Sequence, residues 1–130
     1  MMTDNLKTMT REIVNAQDSL VYILYTLGVS FTEMANLKIS DCNFENDSIR
    51  LTEEDGKART IQVTHDTMES IREASKQKRY WKADFSNYLQ LADSNYVFKR
   101  AKSSNSIDPR VDHIMLETRH QNTKYNLLRV

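Results

Sequence analysis

Cysteine is almost missing from this chain of 130 residues, with Cys42 the single example. One thiol excludes an internal disulfide and a Cys-rich zinc site. The three histidines, His65, His113 and His120, share no metal-ligand spacing, so neither a metal nor a cofactor is expected. Cys42 lies in a polar stretch with no neighbouring His, which argues against a catalytic thiol. Only two glycines occur, Gly28 and Gly56. That excludes both a phosphate-binding P-loop and a dinucleotide fingerprint, which need glycines in close succession. Long apolar runs are missing as well. The longest, Leu20 to Val29, is ten residues, and a membrane span needs about twenty. The start, Met1-Met2-Thr3-Asp4, has no basic or apolar leader, so the chain reads as cytoplasmic.

What is present describes one ordinary globular domain over 1–130. Hydrophobic residues make up 39% and charged residues 28%, which argues against global disorder. A chain of this length buries about two-thirds of its unfolded surface, enough for one core. The net charge is zero, yet it is unevenly placed. Residues 1–71 hold six Lys/Arg against twelve Asp/Glu, a net of −6, and residues 72–130 hold the reverse, +6. The second half therefore suits an anionic partner.

Apolar spacing predicts a helix over 3–15 through Leu6, Met9, Ile13 and Ala16. A second helix, capped by Asp18 or Ser19, carries Leu20, Val21, Ile23, Leu24 and Leu27 and stops at Gly28. Ser30 and Glu33 form a capping box for a short helix with Phe31, Met34 and Leu37 inward. Asp41 to Asp47 reads as polar turn. Ser48–Thr52 and Arg59–Val63 alternate around Asp55-Gly56 and predict a β-hairpin. Asp66 caps a helix through Met68, Ile71 and Ala74 to about Lys78, and Phe85, Tyr88, Leu89 and Ala92 fit a further short helix. Tyr96-Val97-Phe98 suits a third strand on the hairpin. Asp108-Pro109 opens a last helix with Val111, Ile114, Met115 and Thr118 on its apolar face. The expected class is α+β, mostly helical, with a small antiparallel sheet. A helix-turn-helix over Phe31–Leu51 is disfavoured, because the hairpin leaves no room for its second helix.

Local sequence sharpens this. Leu24-Tyr25-Thr26-Leu27-Gly28-Val29-Ser30-Phe31-Thr32-Glu33-Met34, with Leu37-Lys38-Ile39-Ser40-Asp41 after it, resembles the first box of the tyrosine recombinase (phage integrase) catalytic domain. That box reads Tyr-Thr-Gly-Leu-Arg-Ile-Ser-Glu-Leu and then Leu-Lys-Trp-Ser-Asp. Gly56 to Val63 is similar to the family's Lys-Glu-Arg-Thr-Val-Pro-Leu strand. Asn95 to Phe98 resembles the strand before the helix that precedes the second box. The resemblance implies an integrase-like fold and a double-stranded DNA partner in a bacterial or phage-infected cell.

The resemblance breaks at the catalytic positions. The family's first catalytic Arg, which clamps the scissile phosphate, aligns with Ser30, and a hydroxyl cannot replace a bidentate guanidinium. The family's hairpin Lys aligns with Glu54. Asn126 to Val130 resembles His-x-Leu-Arg-His with both histidines lost, so only Arg129 matches. The nucleophilic Tyr of the family falls beyond Val130, and the chain reads as a truncated piece. Phosphoryl transfer here is positioning and charge stabilisation, and both are depleted. The expectation is no enzyme but a DNA-binding regulator, similar to the integrase-fold repressors of SPβ-like phages.

Candidate DNA contacts are the cations Lys38, Lys57, Arg59, Lys76, Lys78, Arg79, Lys99, Arg100, Lys102 and Arg129. Lys76 to Lys82 encloses Tyr80 and Trp81, a basic and aromatic cluster that otherwise reads as a solvated helix end. Lys99 to Lys102 falls in a Ser/Asn-rich loop. Arg59 shares a face with Ile61 and Val63, so it points toward a bound backbone or pairs with Glu53, Glu54 or Asp55. Thr32, Glu33 and Asn36 could read bases, Asn36 suiting adenine and Glu33 cytosine. Two rivals stand beside the regulator: a fragment of an active recombinase, and a module that docks a partner protein through its acidic half; a homo-oligomer or a regulatory protein partner is a further expectation.

Overall fold

In the computed structural model, residues 15–81, 87–102 and 115–121 are described. The helix expected over 3–15 and the cap at Asp108-Pro109 lie outside them. The element order is α1 (Ala16–Thr26), α2 (Phe31–Asn36), a 3-10 turn (Ile39–Asp41), β1 (Cys42–Asn43), β2 (Ser48–Thr52), β3 (Ala58–Gln62), α3 (His65–Lys76), β4 (Arg79–Trp81) and β5 (Tyr88–Gln90). Residues 115–121 form a further helical segment, α4. The fold is α+β with small antiparallel sheets. Among the described residues no helix is long and apolar enough to cross a membrane.

The core forms where helical and strand periodicities converge. Leu20, Val21 and Leu24 of α1, Met34 of α2, Ile49 and Leu51 of β2, and Met68, Ile71 and Ala74 of α3 are buried together with Val97 and Leu116. Such burial contributes roughly 2 kcal/mol for each large side chain. The hairpin is antiparallel, with Ile49 opposite Ile61 and Leu51 opposite Arg59. Gly56 adopts φ +86 in its turn, a conformation glycine takes without strain. Gly28, at φ +84, likewise stops α1. The capping box is formed: Ser30 Oγ accepts from Glu33 N–H at 3.1 Å, and Glu33 Oε1 accepts from Ser30 N–H at 3.0 Å.

Several local expectations are corrected. The N-cap of α1 is Asn15, in extended conformation, not Asp18 or Ser19. Asp18 lies in the first turn, and its carboxylate is taken by Tyr80 instead. Thr64, not Asp66, caps α3, its hydroxyl accepting from Thr67 N–H at 3.1 Å. That helix ends at Lys76 because Gln77 leaves helical dihedrals to enter β4. Tyr88 and Leu89 are strand rather than helix, paired with Trp81 and Tyr80. The hairpin's third strand is Cys42–Asn43, inside the stretch that reads as polar turn. Tyr96 instead makes a single bridge to Lys38, which leaves Val97 and Phe98 free to fill the core. On α4 the buried apolar residue is Leu116, while Thr118 is exposed.

Candidate nucleic-acid interface

β4 and β5 pair with Arg79 opposite Gln90 and Trp81 opposite Tyr88. A third segment continues the ribbon. Leu91 bridges Ala101 in antiparallel sense, Ala92 N–H donates to Arg100 C=O at 2.9 Å, and Lys102 N–H donates to Gln90 C=O at 2.7 Å. Strand side chains alternate between faces, and directly opposed residues share one. Arg79, Gln90 and Lys102 therefore form one cross-strand row. Trp81, Tyr88 and Arg100 fall on the same face, two residues along their strands. Ring contacts agree: the Arg79 guanidinium stands 5.0 Å from the Tyr88 ring centroid, and Trp81 and Tyr88 are 5.1 Å apart. Arg79, Tyr88, Gln90 and Lys102 are exposed, and Arg100 is half-buried.

The other face of the ribbon turns to a buried polar network. Gln17, fully buried, donates to Ala74 C=O at 2.6 Å and Val97 C=O at 2.8 Å. Its carbonyl oxygen accepts from Lys99 N–H at 2.9 Å and Arg119 Nη1 at 2.7 Å. Arg119 Nη2 donates to Lys99 C=O at 2.9 Å, and its guanidinium lies 4.8 Å from the Tyr80 centroid. Tyr80 OH donates to the Asp18 carboxylate at 2.9 Å. Burial pushes the Asp18 carboxyl up to about 6, although Arg119, Tyr80 and Asn15 all favour its ionised form. Asn15 holds β4 directly, donating to Trp81 C=O at 2.8 Å and accepting from Trp81 N–H at 2.7 Å. Gln77 ties Asn15 to Arg79 C=O. The exposed ribbon is thus clamped from below by α1, α3 and α4.

The predicted cations separate into groups. Arg79, Arg100 and Lys102 come together on the ribbon face, with exposed Lys76 and Lys78 at its α3 edge. Lys99 does not join them. It is 3% exposed, and its ammonium donates to Ser94 C=O, so it points inward. Burial holds that amine below the usual Lys range, opposed by Asp93. Lys57 is 85% exposed at the hairpin and pairs loosely with Asp55 at 3.9 Å. Lys38 is exposed beside the Tyr96 ring. Arg129 lies outside the described residues.

Arg59 does share its face with Ile61, but its partner is none of Glu53, Glu54 or Asp55. Its Nε donates to Glu33 Oε2 at 2.9 Å, and Nη2 donates to Glu33 Oε1 at 3.0 Å and to Gly28 C=O at 3.1 Å. The Arg59 hydrogen bonds hold the Glu33 carboxyl below the usual carboxylate range. Glu33 is buried and fully engaged, so it is not placed to read a cytosine. Asn36 donates to Thr52 C=O at 3.1 Å and is half-buried, so its amide is also committed. Burial pushes the Cys42 thiol up to about 11, which leaves it a poor nucleophile.

Gln17, Gln90 and Arg119 escape the sequence reading of the site. Gln90 carries no periodic signal of its own, because the β5 segment reads as helix. For Arg119 a signal exists. The Arg-His ending of the second box, which the alignment sets at Arg129-Val130, occurs literally at Arg119-His120.

Comparison with known proteins gives a family match over almost the whole chain. The model of the "MrpR, C-terminal catalytic domain" matches residues 1–128. No curated protein matches. Among solved structures, a XerA recombinase crystal structure aligns at 16% identity and TM-score 0.47, over 89% of this chain and 41% of that one. The chain thus spans less than half the length of that recombinase.

Proposed function

We propose that this chain, which belongs to the family of the MrpR C-terminal catalytic domain, binds double-stranded DNA as a regulator and does not cut it. The observation that carries this is the ribbon, which puts Arg79, Arg100 and Lys102 on one face, with Gln90 in the row of Arg79 and Lys102. Lys and Arg on a polar surface hold phosphates, and a β-ribbon fits the major groove. Gln90, exposed between two cations, has the donor and acceptor that an adenine edge requires. Two features support the absence of cleavage. The position that resembles the family's phosphate-clamping Arg is Ser30, a helix cap. The neighbouring Arg59 is neutralised by a buried carboxylate.

The test is fluorescence anisotropy with mixed duplex DNA over several salt concentrations. Binding should weaken steeply as salt rises, with a slope counting the phosphates engaged. The double variant R79E/K102E should abolish it, and K57E should leave most of it. Undiminished binding by R79E/K102E would refute the ribbon as the interface. Absence of binding at low salt would favour a protein-docking module instead. A covalent adduct with nicked duplex substrate would overturn the non-cleaving assignment.

A further inference from the structure

An open groove runs beside the ribbon, between the end of α3 and β4. Its lining is Ala16, Glu73, Lys76, Gln77, Lys78, Arg79 and Trp81. Three cations against one carboxylate make it electropositive. Trp81, half-buried, is the chain's only tryptophan and supplies an aromatic wall. Its backbone is pinned on both sides by Asn15, so the indole is held on a rigid strand. The Gln77 amide is spent on Asn15, Gln17 and Arg79. The groups left to meet a ligand are an aromatic surface, a carboxylate and the ammonium groups of Lys76 and Lys78, with the Arg79 guanidinium beside them over the Tyr88 ring.

We propose that this groove holds an unpaired stretch of a nucleic-acid strand, with one base laid against Trp81 and its flanking phosphates on Lys76, Lys78 and Arg79. The reading deepens the DNA assignment above and rests on it for the class of ligand. A paired base keeps its faces inside the stack and cannot offer one to an indole, whereas an unpaired base can. Glu73 can accept a hydrogen bond from an unpaired base edge, the N3–H of thymine included, and three cations around an aromatic surface suit a strand's phosphates better than an uncharged ligand. The ribbon face beyond the groove then carries the duplex that flanks the opened stretch.

Trp81 fluorescence reports on this directly. The full chain is titrated with oligothymidylate of about twelve nucleotides, with a duplex of equal length, and with thymidine monophosphate. The expected result is saturable quenching by the single strand, weaker quenching by duplex, and quenching by the mononucleotide only at far higher concentration. K76A/K78A, changes at two exposed positions, should raise the single-strand Kd about tenfold. By anisotropy, Trp81→Leu should lose roughly five- to hundredfold in single-strand affinity, and Trp81→Phe should retain most of it. Duplex binding by anisotropy with no quenching by the single strand overturns the groove while leaving the DNA reading intact. Quenching by the single strand without duplex binding sustains the groove and removes the duplex reading. Equal affinity for mononucleotide and strand overturns the proposal in favour of a free-nucleotide site.

Discussion

Asp18 makes stability depend on pH in an unusual direction. Its carboxyl is buried and pushed up to about 6, against 3.8 for an ordinary aspartate, with burial the dominant cause. The unfolded chain therefore releases this proton at lower pH than the folded one. Between those values the native state binds more protons, so stability falls as pH rises. The cost of keeping Asp18 ionised is complete above about pH 6 and gone below 3.8. A shift of about two pH units corresponds to about 3 kcal/mol. Roughly 1 kcal/mol of this should already be recovered on moving from pH 8 to pH 5. Glu33 acts oppositely, since its carboxyl is held low and its contribution is lost only below the ordinary carboxylate range. The window from pH 5 to 8 therefore separates Asp18 from Glu33. Urea unfolding of the wild type and Asp18→Asn across this window is the assay. Groups common to both proteins cancel in the difference, and the amide oxygen introduced by Asp18→Asn would still accept from Tyr80. The wild type should gain about 1 kcal/mol relative to the variant between pH 8 and pH 5, a midpoint shift of roughly half a molar to one molar urea. A difference that stays flat over that range would refute the burial argument.

Two further outcomes follow from the same geometry. Gln17→Ala strands the Val97 carbonyl, the Lys99 amide and one Arg119 donor in the interior, while the Ala74 carbonyl keeps the Gln77 N–H. It should cost at least about 3 kcal/mol in urea unfolding, because each buried unpaired group costs about 1–3 kcal/mol. A loss below about 1 kcal/mol would show that the network relaxes onto water. Ser30→Ala removes the α2 cap and should cost about 1 kcal/mol while leaving duplex affinity unchanged. A loss of affinity without loss of stability would instead make the Ser30 hydroxyl a DNA contact.

Legibility in the sequence follows the range of the interactions involved. The Ser30–Glu33 capping box spans three residues, and its two hydrogen bonds are local, so residue type and spacing specify them. The hairpin is equally local: alternation and Asp55-Gly56 set its register, down to Ile49 opposite Ile61. Asn15 displaces Asp18 as a cap because both offer acceptable side chains and a tertiary partner decides between them, whereas Thr64 displaces Asp66 through its local bond to Thr67. Asp18 is drawn away by Tyr80, 62 residues distant. The β4–β5 ribbon is hidden because Tyr88 and Leu89 suit either period in a short run. Its pairing to Arg79–Trp81 crosses a connection that carries no turn dipeptide. Lys99 is misplaced for a related reason. It sits among exposed cations in sequence, yet its backbone is fixed by Gln17 and its head by Ser94, and neither partner leaves a pattern in the chain.

The distribution of charge bears on why this fold would hold DNA without cutting it. A phosphate clamp needs an arginine whose fork is open to the anion. At the corner formed by α1, α2 and the hairpin, the nearest fork belongs to Arg59, and Glu33 closes it with two bonds while Gly28 takes a third. The Glu33 carboxylate is itself fixed by the helix cap, so opening the fork would also break the capping box. A passing phosphate offers about the same charge-assisted bonds as the carboxylate it would displace, with no gain to offset the broken cap. Glu53, Glu54 and Asp55 add negative charge at the hairpin tip beside it. Lys38 and Lys57 are exposed as well, but Arg79 and Lys102 on the ribbon and Lys76 and Lys78 along its groove lie together, with aromatic rings and Gln90 beside them. Under the proposed function, the corner that resembles a catalytic centre would serve the architecture, and affinity for nucleic acid would rest on β4, β5 and the Arg100–Lys102 segment. Releasing the pair by Glu33→Ala would then destabilise the fold without creating a cleaving enzyme, and a gain of strand cleavage in that variant would contradict the argument.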